Sequence, residues 1–437
     1  MTVHPFAEKA MTGQERAQAR YSVEYGPVLQ TYRDPVAPTA FVGVELVMPS
    51  GGRMWGYGRA ADYDRAKAIG LLEAIERETG SAPAARRTAI AGSYADLAQH
   101  AIDPATLGLS DPAYHGHPHS LLDAYTPDTP TRWVWGHDLA GDRPVLVPEH
   151  VAYYGIAGEP GAARFLYECS SGCAVGGCLE EAVLYGALEL VERDAFLLHW
   201  YAQSPPLPVQ RASVTDPVSR ALLARAAAEG YEVRIFDITS DVGIPVFWVA
   251  GLDPDNPDWA HLSAAGAHPD PKSALRGALH ELLSMIVIYQ HTDPLPAELR
   301  RSMLADPESV VEMEHHVGAF TTRESLELLG WALDSGRESV PFPALHGDWR
   351  ERWIRPDLTD TLGLLTAAMT AAGMPPIAVR QTAERDHRLG IEVVKVIAPG
   401  SLAMTFGHVH NRTRGIPRLD AARARTGITN LQPHPFP

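Results

Sequence analysis

Two helical stretches of this chain carry paired glutamates inside otherwise apolar sequence, and an arginine directly follows each pair. In the first stretch, Glu73 and Glu76 precede Arg77. Acids three residues apart occupy one face of a helix. A fold must therefore either expose that face to solvent or gather its carboxylates around something positive.

The second stretch, 179–194, repeats the pattern and extends it. Glu189 and Glu192 precede an arginine here, and Glu181 lies two turns earlier. At about 100° per residue, Glu181 and Glu192 are separated by only about 20° around the helix, and Glu189 lies within about 80° of both. One helix thus presents three carboxylates along a stripe.

Carboxylates gathered without basic partners repel one another, and such groups usually hold hard cations. Mg²⁺ held in this way bridges to phosphate, and Arg77 and Arg193 suit phosphate oxygens. A solvated polar face is the alternative for any single glutamate, and Glu180 fits that interpretation. The repeated pattern on two helices favours a metal and phosphate site.

The overall charge excludes one class of ligand. The chain of 437 residues has a formal charge of −16, from 53 acidic and 37 basic residues, whereas nucleic-acid binding normally needs a basic excess. No stretch approaches the roughly 20 apolar residues that cross a bilayer. Cysteines number three, which predicts no disulfide framework, and a cytoplasmic location is expected.

Helical and strand-like patterns alternate along the chain. Alternation in 41–48 and 54–58 predicts a β-hairpin, and 61–78 predicts a helix capped by Gly80. Further helices are predicted at 179–200, 216–229, 272–289 and 357–372, and further strands at 133–136, 144–148, 233–238, 244–250, 377–380 and 391–397. This order predicts an α+β fold with mixed sheets and packed helices.

Neither a P-loop nor a dinucleotide-binding glycine motif is present in the sequence. A nucleotide would therefore be held by metal ions and helix ends. The small residues of 170–177 predict a loop just before the second acidic helix. Backbone N–H groups between Gly172 and Gly177 could donate to phosphate there.

Three parts of the sequence together resemble the YcaO family: 73–77, the segment 170–182 with 189–196, and the Pro-x-Pro-x-Pro ending at 433–437. Weaker similarities lie at 236–245, 399–400 and 406–408, so the resemblance spans about residues 40–437. Within this family the chain is most similar to the cyclodehydratase D proteins, which form azoline rings in ribosomal peptides.

The resemblance implies ATP bound through Mg²⁺ ions on the helix glutamates. The implied metal-binding residues are Glu73, Glu76, Glu181, Glu189 and Glu192. The expected nucleotide-binding residues are Arg59, Arg77, Ser171, Gly177, Arg193 and Glu281, the last on a helix that resembles a further family helix.

Several positions depart from the family pattern. Arg59 stands where members usually carry lysine, and Gly70 lies in the segment where a serine is expected. Ser171 and Gly177 each replace an asparagine. The glutamates are all present, so the departures affect expected contacts to the nucleotide rather than metal binding.

The implied reaction explains the need for ATP. A peptide carbonyl is a poor electrophile, and the adduct formed by a Cys thiol or a Ser or Thr hydroxyl collapses back. Phosphorylation of the adduct oxygen creates a leaving group, whose loss gives a thiazoline or oxazoline. Metal ions stabilise the charge on the phosphoryl group, and the protein positions the reactants.

Two alternatives remain open from the sequence. The same fold could form a thioamide or macroamidine, although the Pro-x-Pro-x-Pro ending favours azolines. The departures at the lysine and asparagine positions also allow a non-catalytic scaffold that holds the peptide or a partner enzyme.

The predicted organisation has three parts: a flexible N-terminus at 1–20, a YcaO domain at 21–425, and a Pro-rich tail at 426–437. Alternate prolines stiffen the tail, and the resemblance implies that the Pro437 carboxylate enters the active site as a general base. The expected ligands are a precursor peptide and a separate leader-binding protein, because no peptide-binding domain fits before residue 40. A homodimer is allowed, and neither nucleic acid nor membrane is expected.

Overall fold

The computed structural model describes residues 30–34, 40–47, 53–60, 62–81, 83, 89–156, 162–290, 292 and 294–436. The predicted flexible segment 1–20, the hairpin turn at Ser50 and the terminal Pro437 lie outside the described residues. The chain divides into two compact units. The first draws on Met1–Leu109, Leu121–Leu190 and Trp353–Ala403, and the second on Ser110–Ser120, Val191–Arg352 and Met404–Pro437.

The described α-helices occur singly or in runs between the strands. They are α1 (Tyr63–Ser81), α2 (Tyr94–Leu97), α3 (Glu149–Ala152), α4 (Leu179–Ala202), α5 (Pro217–Ala228), α6 (Pro271–Gln290), α7 (Ala297–Ala305), α8 (Met313–Ala319), α9 (Ser325–Leu328), α10 (Gly330–Leu333), α11 (Trp349–Trp353), α12 (Leu358–Ala371), α13 (Glu384–Arg388) and α14 (Pro417–Thr426).

The described strands form three sheets. They are β1 (Gln30–Asp34), β2 (Ala40–Val47), β3 (Arg53–Ala60), β4 (Ala89–Gly92), β5 (Thr131–Asp138), β6 (Arg143–Pro148), β7 (Cys173–Gly176), β8 (Leu207–Gln210), β9 (Glu232–Asp237), β10 (Val246–Leu252), β11 (His261–Ala267), β12 (Val340–Pro341), β13 (Ile377–Arg380) and β14 (Glu392–Ile397). Helices and mainly antiparallel sheets together confirm the predicted α+β class.

A small antiparallel sheet of the first unit, ordered β1-β2-β3, supports helix α1. Two glycines of β3 allow a very close approach. A Cβ atom at Gly58 would lie 1.7 Å from the carbonyl oxygen of Ala66, and one at Gly56 would lie 2.0 Å from that of Gly70. Only residues without a side chain fit, so the glycines fix α1 directly against β3.

The other sheet of the first unit follows the order β4-β5-β13-β14-β7, with β6 beside β5. All six residues of β14 are buried, and β14 pairs antiparallel with both β13 and β7. A central strand covered on both faces explains the nearly continuous apolar run that the sequence shows there.

A five-stranded sheet of the second unit has the order β11-β10-β9-β8-β12 and is antiparallel except for the short β12–β8 pair. Helix α6 packs on β11. Phe196 of α4 makes an edge contact with Trp248 of β10 at 5.3 Å between ring centroids. The aromatic residues at the end of α4 are thus part of the core.

Two local predictions were wrong. Cys173–Gly176 was predicted as loop, but it forms strand β7 because its backbone pairs with β14. Gly80 was predicted to cap a helix, yet it lies inside the last turn of α1, where a Cβ atom would meet the Tyr154 ring at 2.9 Å. No described helix has the length and apolar character needed to cross a membrane.

Candidate active site

Glu73 of α1 is bound by a strand and by an arginine of its own helix, within the first unit. The Glu73 carboxylate accepts the backbone N–H of Tyr57, and its other oxygen pairs with Arg77 Nη2 at 2.8 Å. Arg77 Nη1 donates to the carbonyl oxygen of Trp55 at 3.2 Å. Glu73 and Arg77, predicted as metal and phosphate ligands, therefore hold each other and the edge of β3.

Strand β7 and its flanking residues fix two of the α4 carboxylates, also within the first unit. The backbone N–H of Gly172 donates to Glu189 Oε2 at 3.1 Å, and that of Gly177 donates to Glu181 Oε2 at 2.6 Å. Gly172 has a φ of 82°, which favours glycine. These N–H groups were predicted to bind phosphate, but here they orient acids of the neighbouring helix.

Acids from both helices act on one buried thiol of the first unit. Burial raises the pKa of Cys173; the ammonium of Lys395 lowers it, and the carboxylates of Glu76 and Glu189 raise it further. Glu76 of α1 and Glu189 of α4 are thus both close enough to influence the same atom. Helix α1, which carries Glu76, packs on β7, and Glu189 accepts the N–H of Gly172, which directly precedes this strand.

The last acid of the α4 stripe and the residues after it belong to the second unit. Glu192 Oε2 accepts the backbone N–H of Ala267 at 2.8 Å. Asp194 is fully buried and pairs with Arg418. Arg193 lies near the buried imidazole of His434, whose pKa falls to about 4, mainly through burial and partly through this positive charge. Glu281 is half-buried on α6.

The carboxylates fit Mg²⁺ in one specific way. Among the described ranges, no three His, Cys, Asp or Glu side chains are grouped so that they could hold a metal ion by themselves. Mg²⁺ is usually bound by one or two carboxylates together with phosphate oxygens and water, not by a cage of protein ligands. Glu76 and Glu189 have the chemistry for this mode, because each is a hard oxygen donor.

Two predicted nucleotide contacts have distinct environments in the first unit. The guanidinium of Arg59 lies over the ring of Phe41 at 5.8 Å, and its Nε is buried with no hydrogen-bond partner among the described residues. Ser171 is buried, and its Oγ is 3.1 Å from the sulfur of Cys169. Arg59 therefore retains an unsatisfied donor, whereas Ser171 is enclosed.

A buried lysine near the candidate site was missed by the sequence analysis. Lys395 of β14 is 1% exposed and pairs with Glu168 at 3.1 Å. A lysine between valines in an apolar strand was the available signal, since a buried charge needs a partner.

The Pro-rich tail is fixed to the end of α4 within the second unit. Trp200 Nε1 donates to the carbonyl oxygen of Gln432 at 3.0 Å, and the Asn430 side chain donates to the carbonyl oxygen of Trp200 at 3.0 Å. The ring of Phe436 packs on Phe196 with centroids 4.0 Å apart. The predicted catalytic residue at the end of this segment, Pro437, lies outside the described residues.

Comparisons with known proteins identify the family to which this chain belongs. A family model described as YcaO cyclodehydratase, ATP- and Mg²⁺-binding, matches residues 57–402. An uncharacterized protein from Methanothermobacter thermautotrophicus is 25% identical over 339 residues, covering 73% of this chain and 84% of the relative.

Several solved structures have a similar fold. A heterocyclase in complex with substrate and cofactor has a TM-score of 0.77 and 22% identity, over 100% of this chain and 59% of that protein. YcaO from Methanopyrus kandleri, bound with AMPPCP and Mg²⁺, has a TM-score of 0.63 and 20% identity, over 92% of this chain and 93% of that protein. A chain of the E. coli microcin synthetase McbBCD complex has a TM-score of 0.58 and 13% identity, over 94% of this chain and 99% of that one.

At these identities the solved structures establish the fold, and this chain spans only 59% of the first heterocyclase. The family model covers most of the sequence and includes both acidic helices. The chain therefore belongs to the YcaO family, and the predicted cofactors, ATP and Mg²⁺, are confirmed by the description of that family.

Proposed function

We propose that this chain is an ATP-dependent cyclodehydratase that forms thiazoline or oxazoline rings from Cys, Ser or Thr residues of a ribosomally made precursor peptide. The observation that carries the proposal is the anchoring of the α4 stripe. Glu189 and Glu181 accept backbone N–H groups from the two ends of β7, and Glu192 accepts one from Ala267 of β11. Carboxylates oriented by such hydrogen bonds are typical of metal ligands.

The five helix glutamates would hold Mg²⁺, which neutralises phosphate charge when bound. Glu76 lies on α1, which packs on β7, and Glu189 is held by the Gly172 N–H beside the same strand, so these two acids form the first candidate pair. Arg59 has a buried, unsatisfied Nε and would donate to the nucleotide. Arg77 would exchange its pairing with Glu73 for phosphate oxygens, and Arg193 would contact phosphate as well.

The proposed reaction balances without any further reactant. The side-chain sulfur or oxygen of the peptide loses its proton to the proposed base, the Pro437 carboxylate, and attacks the preceding carbonyl carbon, which closes a five-membered ring. The former carbonyl oxygen attacks the γ-phosphorus of ATP, the bond to ADP breaks, and a new P–O bond forms. The amide nitrogen then loses its proton, the carbon–oxygen bond to phosphate breaks, and the carbon–nitrogen bond within the ring becomes a double bond. The products are the azoline, ADP and inorganic phosphate.

The other parts of the proposal concern peptide delivery. The E. coli structural neighbour is a complex, and by analogy a separate leader-binding protein would present the precursor peptide to this chain. Binding energy from the remote leader would hold the reacting residue near ATP. Pro437 remains the proposed general base, and 21–425 the proposed catalytic region.

Mass spectrometry of the peptide product tests the proposal. The chain, its leader-binding partner, precursor peptide, ATP and Mg²⁺ are incubated together, and the peptide should lose one water per ring formed. An exchange of oxygen for sulfur would instead identify thioamide formation. An unmodified peptide, with no ATP hydrolysis above that of the partner alone, would identify a scaffold.

A further inference from the structure

A buried ammonium group organises the segment that precedes α4 in the first unit. Lys395 Nζ lies 3.1 Å from Glu168 Oε2 and donates to the carbonyl oxygens of Cys169 at 2.8 Å and Ser171 at 2.6 Å. A lysine ammonium has three donors. All three donors therefore have acceptors, and two of these acceptors are main-chain carbonyl groups of the same short segment.

The carbonyl groups held by Lys395 lie directly beside the backbone that orients Glu189. Gly172 follows Ser171, its N–H donates to Glu189 Oε2, and its carbonyl oxygen accepts the N–H of Val396 at 2.7 Å. A Cβ atom at Gly172 would lie 2.3 Å from the carbonyl oxygen of Val396. The segment is thus pinned to β14 from both sides of this glycine.

We propose that Lys395 is a positioning residue of the nucleotide site: its contacts to Cys169 and Ser171 hold the Gly172 N–H in the direction that orients Glu189 for Mg²⁺. The inference rests on the proposed function and adds a residue to that site. Lys395 touches neither nucleotide nor peptide in this role. It acts through the backbone and one carboxylate.

If Lys395 only stabilises the fold, a variant that remains folded without it should bind nucleotide as well as the wild type does. Breaking a buried ion pair leaves an uncompensated charge, whereas replacing both partners by apolar residues is often tolerated. The double variant Lys395→Met with Glu168→Leu is therefore expected to remain folded. It has nevertheless lost both anchoring hydrogen bonds to the segment carrying Gly172.

The test is binding of Mg²⁺ and AMPPCP, a non-hydrolysable ATP analogue, measured by titration calorimetry, with thermal unfolding recorded in parallel. We expect the double variant to bind about 10- to 100-fold more weakly than the wild type, the usual cost of losing an outer partner of a metal ligand. The control is Arg380→Gln with Glu392→Gln, which removes another ion pair of the same sheet. Its binding should match the wild type.

The outcomes separate the two proposals. If the wild type does not bind Mg²⁺ and AMPPCP, the proposed function fails. If the wild type binds and the folded double variant binds within twofold of it, the positioning role is overturned. Should the double variant not fold, Lys395→Arg serves instead: it keeps the charge, but its planar fork cannot reproduce the three contacts, so weaker binding is expected.

A measurement on the wild type gives an independent check. Amide hydrogen exchange in 168–178 should slow when Mg²⁺ and AMPPCP bind, because Gly172 and Glu189 become more tightly held together. Unchanged exchange across this segment in the nucleotide-bound protein would overturn the positioning role, whatever the behaviour of the variants.

Discussion

The imidazole of His316 donates from Nδ1 to the main-chain oxygen of His434 at 2.9 Å, and the two rings lie with centroids 4.2 Å apart. His316 Nε2 accepts the N–H of Gly407 at 3.0 Å, and His434 Nε2 donates to the carbonyl oxygen of Thr405 at 2.9 Å. His316 is therefore neutral in the folded second unit, because its Nε2 accepts a hydrogen bond, and burial favours the neutral form of His434. The Pro-rich segment is held by histidines that cannot gain a proton without losing a contact or bringing two charges together.

The second unit should lose stability as the pH falls below about 6.5, the pKa of histidine in an unfolded chain. Burial lowers the pKa of His434 and of His261 to about 4, and that of His316 well below its usual value. The unfolded chain takes up these protons between pH 6.5 and 4, so acid favours unfolding. Where only the unfolded chain binds the proton, each histidine lowers the free energy of unfolding by about 1.4 kcal/mol for every pH unit of acidification.

Thermal unfolding from pH 7.5 to 5 checks this expectation. His434→Gln, which retains a donor for Thr405, should be less stable at pH 7.5 but lose less stability on acidification than the wild type. His119→Gln, at an exposed position, is the control and should follow the wild-type curve. Equal pH slopes for wild type and His434→Gln would contradict the assignment of a neutral, buried ring.

Replacing Glu189 or Glu192 by glutamine should reduce ATP turnover by at least about 100-fold. Losing an outer partner of a metal ligand costs up to about 100-fold, and losing the ligand itself should cost at least as much. Glutamine keeps an oxygen that can accept the N–H of Gly172 or Ala267, so the fold should be unchanged. Glu180→Gln on the same helix is the control. Wild-type turnover in both variants, with Mg²⁺ dependence retained, would refute the metal assignment.

Restoring a serine at position 70, Gly70→Ser, should destabilise the protein and not increase its activity. A Cβ atom there would lie 3.1 Å from the backbone N of Gly58 and 3.1 Å from the carbonyl oxygen of Val42. Forcing extra atoms into such a contact costs about 1–3 kcal/mol. Differential scanning calorimetry measures the change.

The matched comparison is Gly277→Ala on α6, where a Cβ atom would meet nothing within 4 Å. Alanine in a helix interior is favoured over glycine by up to about 1 kcal/mol, so this variant should unfold at a higher temperature. A Gly70→Ser protein as stable as the wild type would show that α1 can move away from β3.

Loosening the tail should affect cyclisation more than ATP binding. Phe436→Ala removes the ring that packs on Phe196 and leaves the hydrogen bond from Trp200 to Gln432 intact. If Pro437 is the base, cyclisation should fall by about 100-fold, the scale of general-base catalysis. Equal cyclisation rates in the variant and the wild type would argue against a catalytic tail.

Sequence patterns were sufficient for the long elements of this fold. Helices α1 and α4 are rich in good helix formers, and β2 is rich in apolar residues that suit a buried strand, so local preference and final structure agree. Strand β7 could not be found in this way. Its small residues have no strand-like pattern, and it exists because Cys173 aligns with Lys395 of a strand more than two hundred positions later.

For the candidate site, the sequence predicted which residues lie on the two helices but not which atoms they contact. Periodicity placed the acids on two helices and named the arginines beside them. It could not show that Arg77 binds Glu73, nor that glycine N–H groups hold Glu181 and Glu189, because these contacts depend on how the helices meet β3 and β7. Tertiary contacts of this kind leave no periodic trace in a sequence.

The pairing of Glu73 and Arg77 with β3 has a consequence for aggregation. β3 is an edge strand, and exposed N–H and C=O groups on such strands are templates for a strand from another molecule. Here the N–H of Tyr57 and the carbonyl of Trp55 are already bound by helix side chains. A foreign peptide cannot extend the sheet at these two positions. Substitutions that remove the Glu73 or Arg77 side chain would expose this edge, so such variants should self-associate more readily at high concentration.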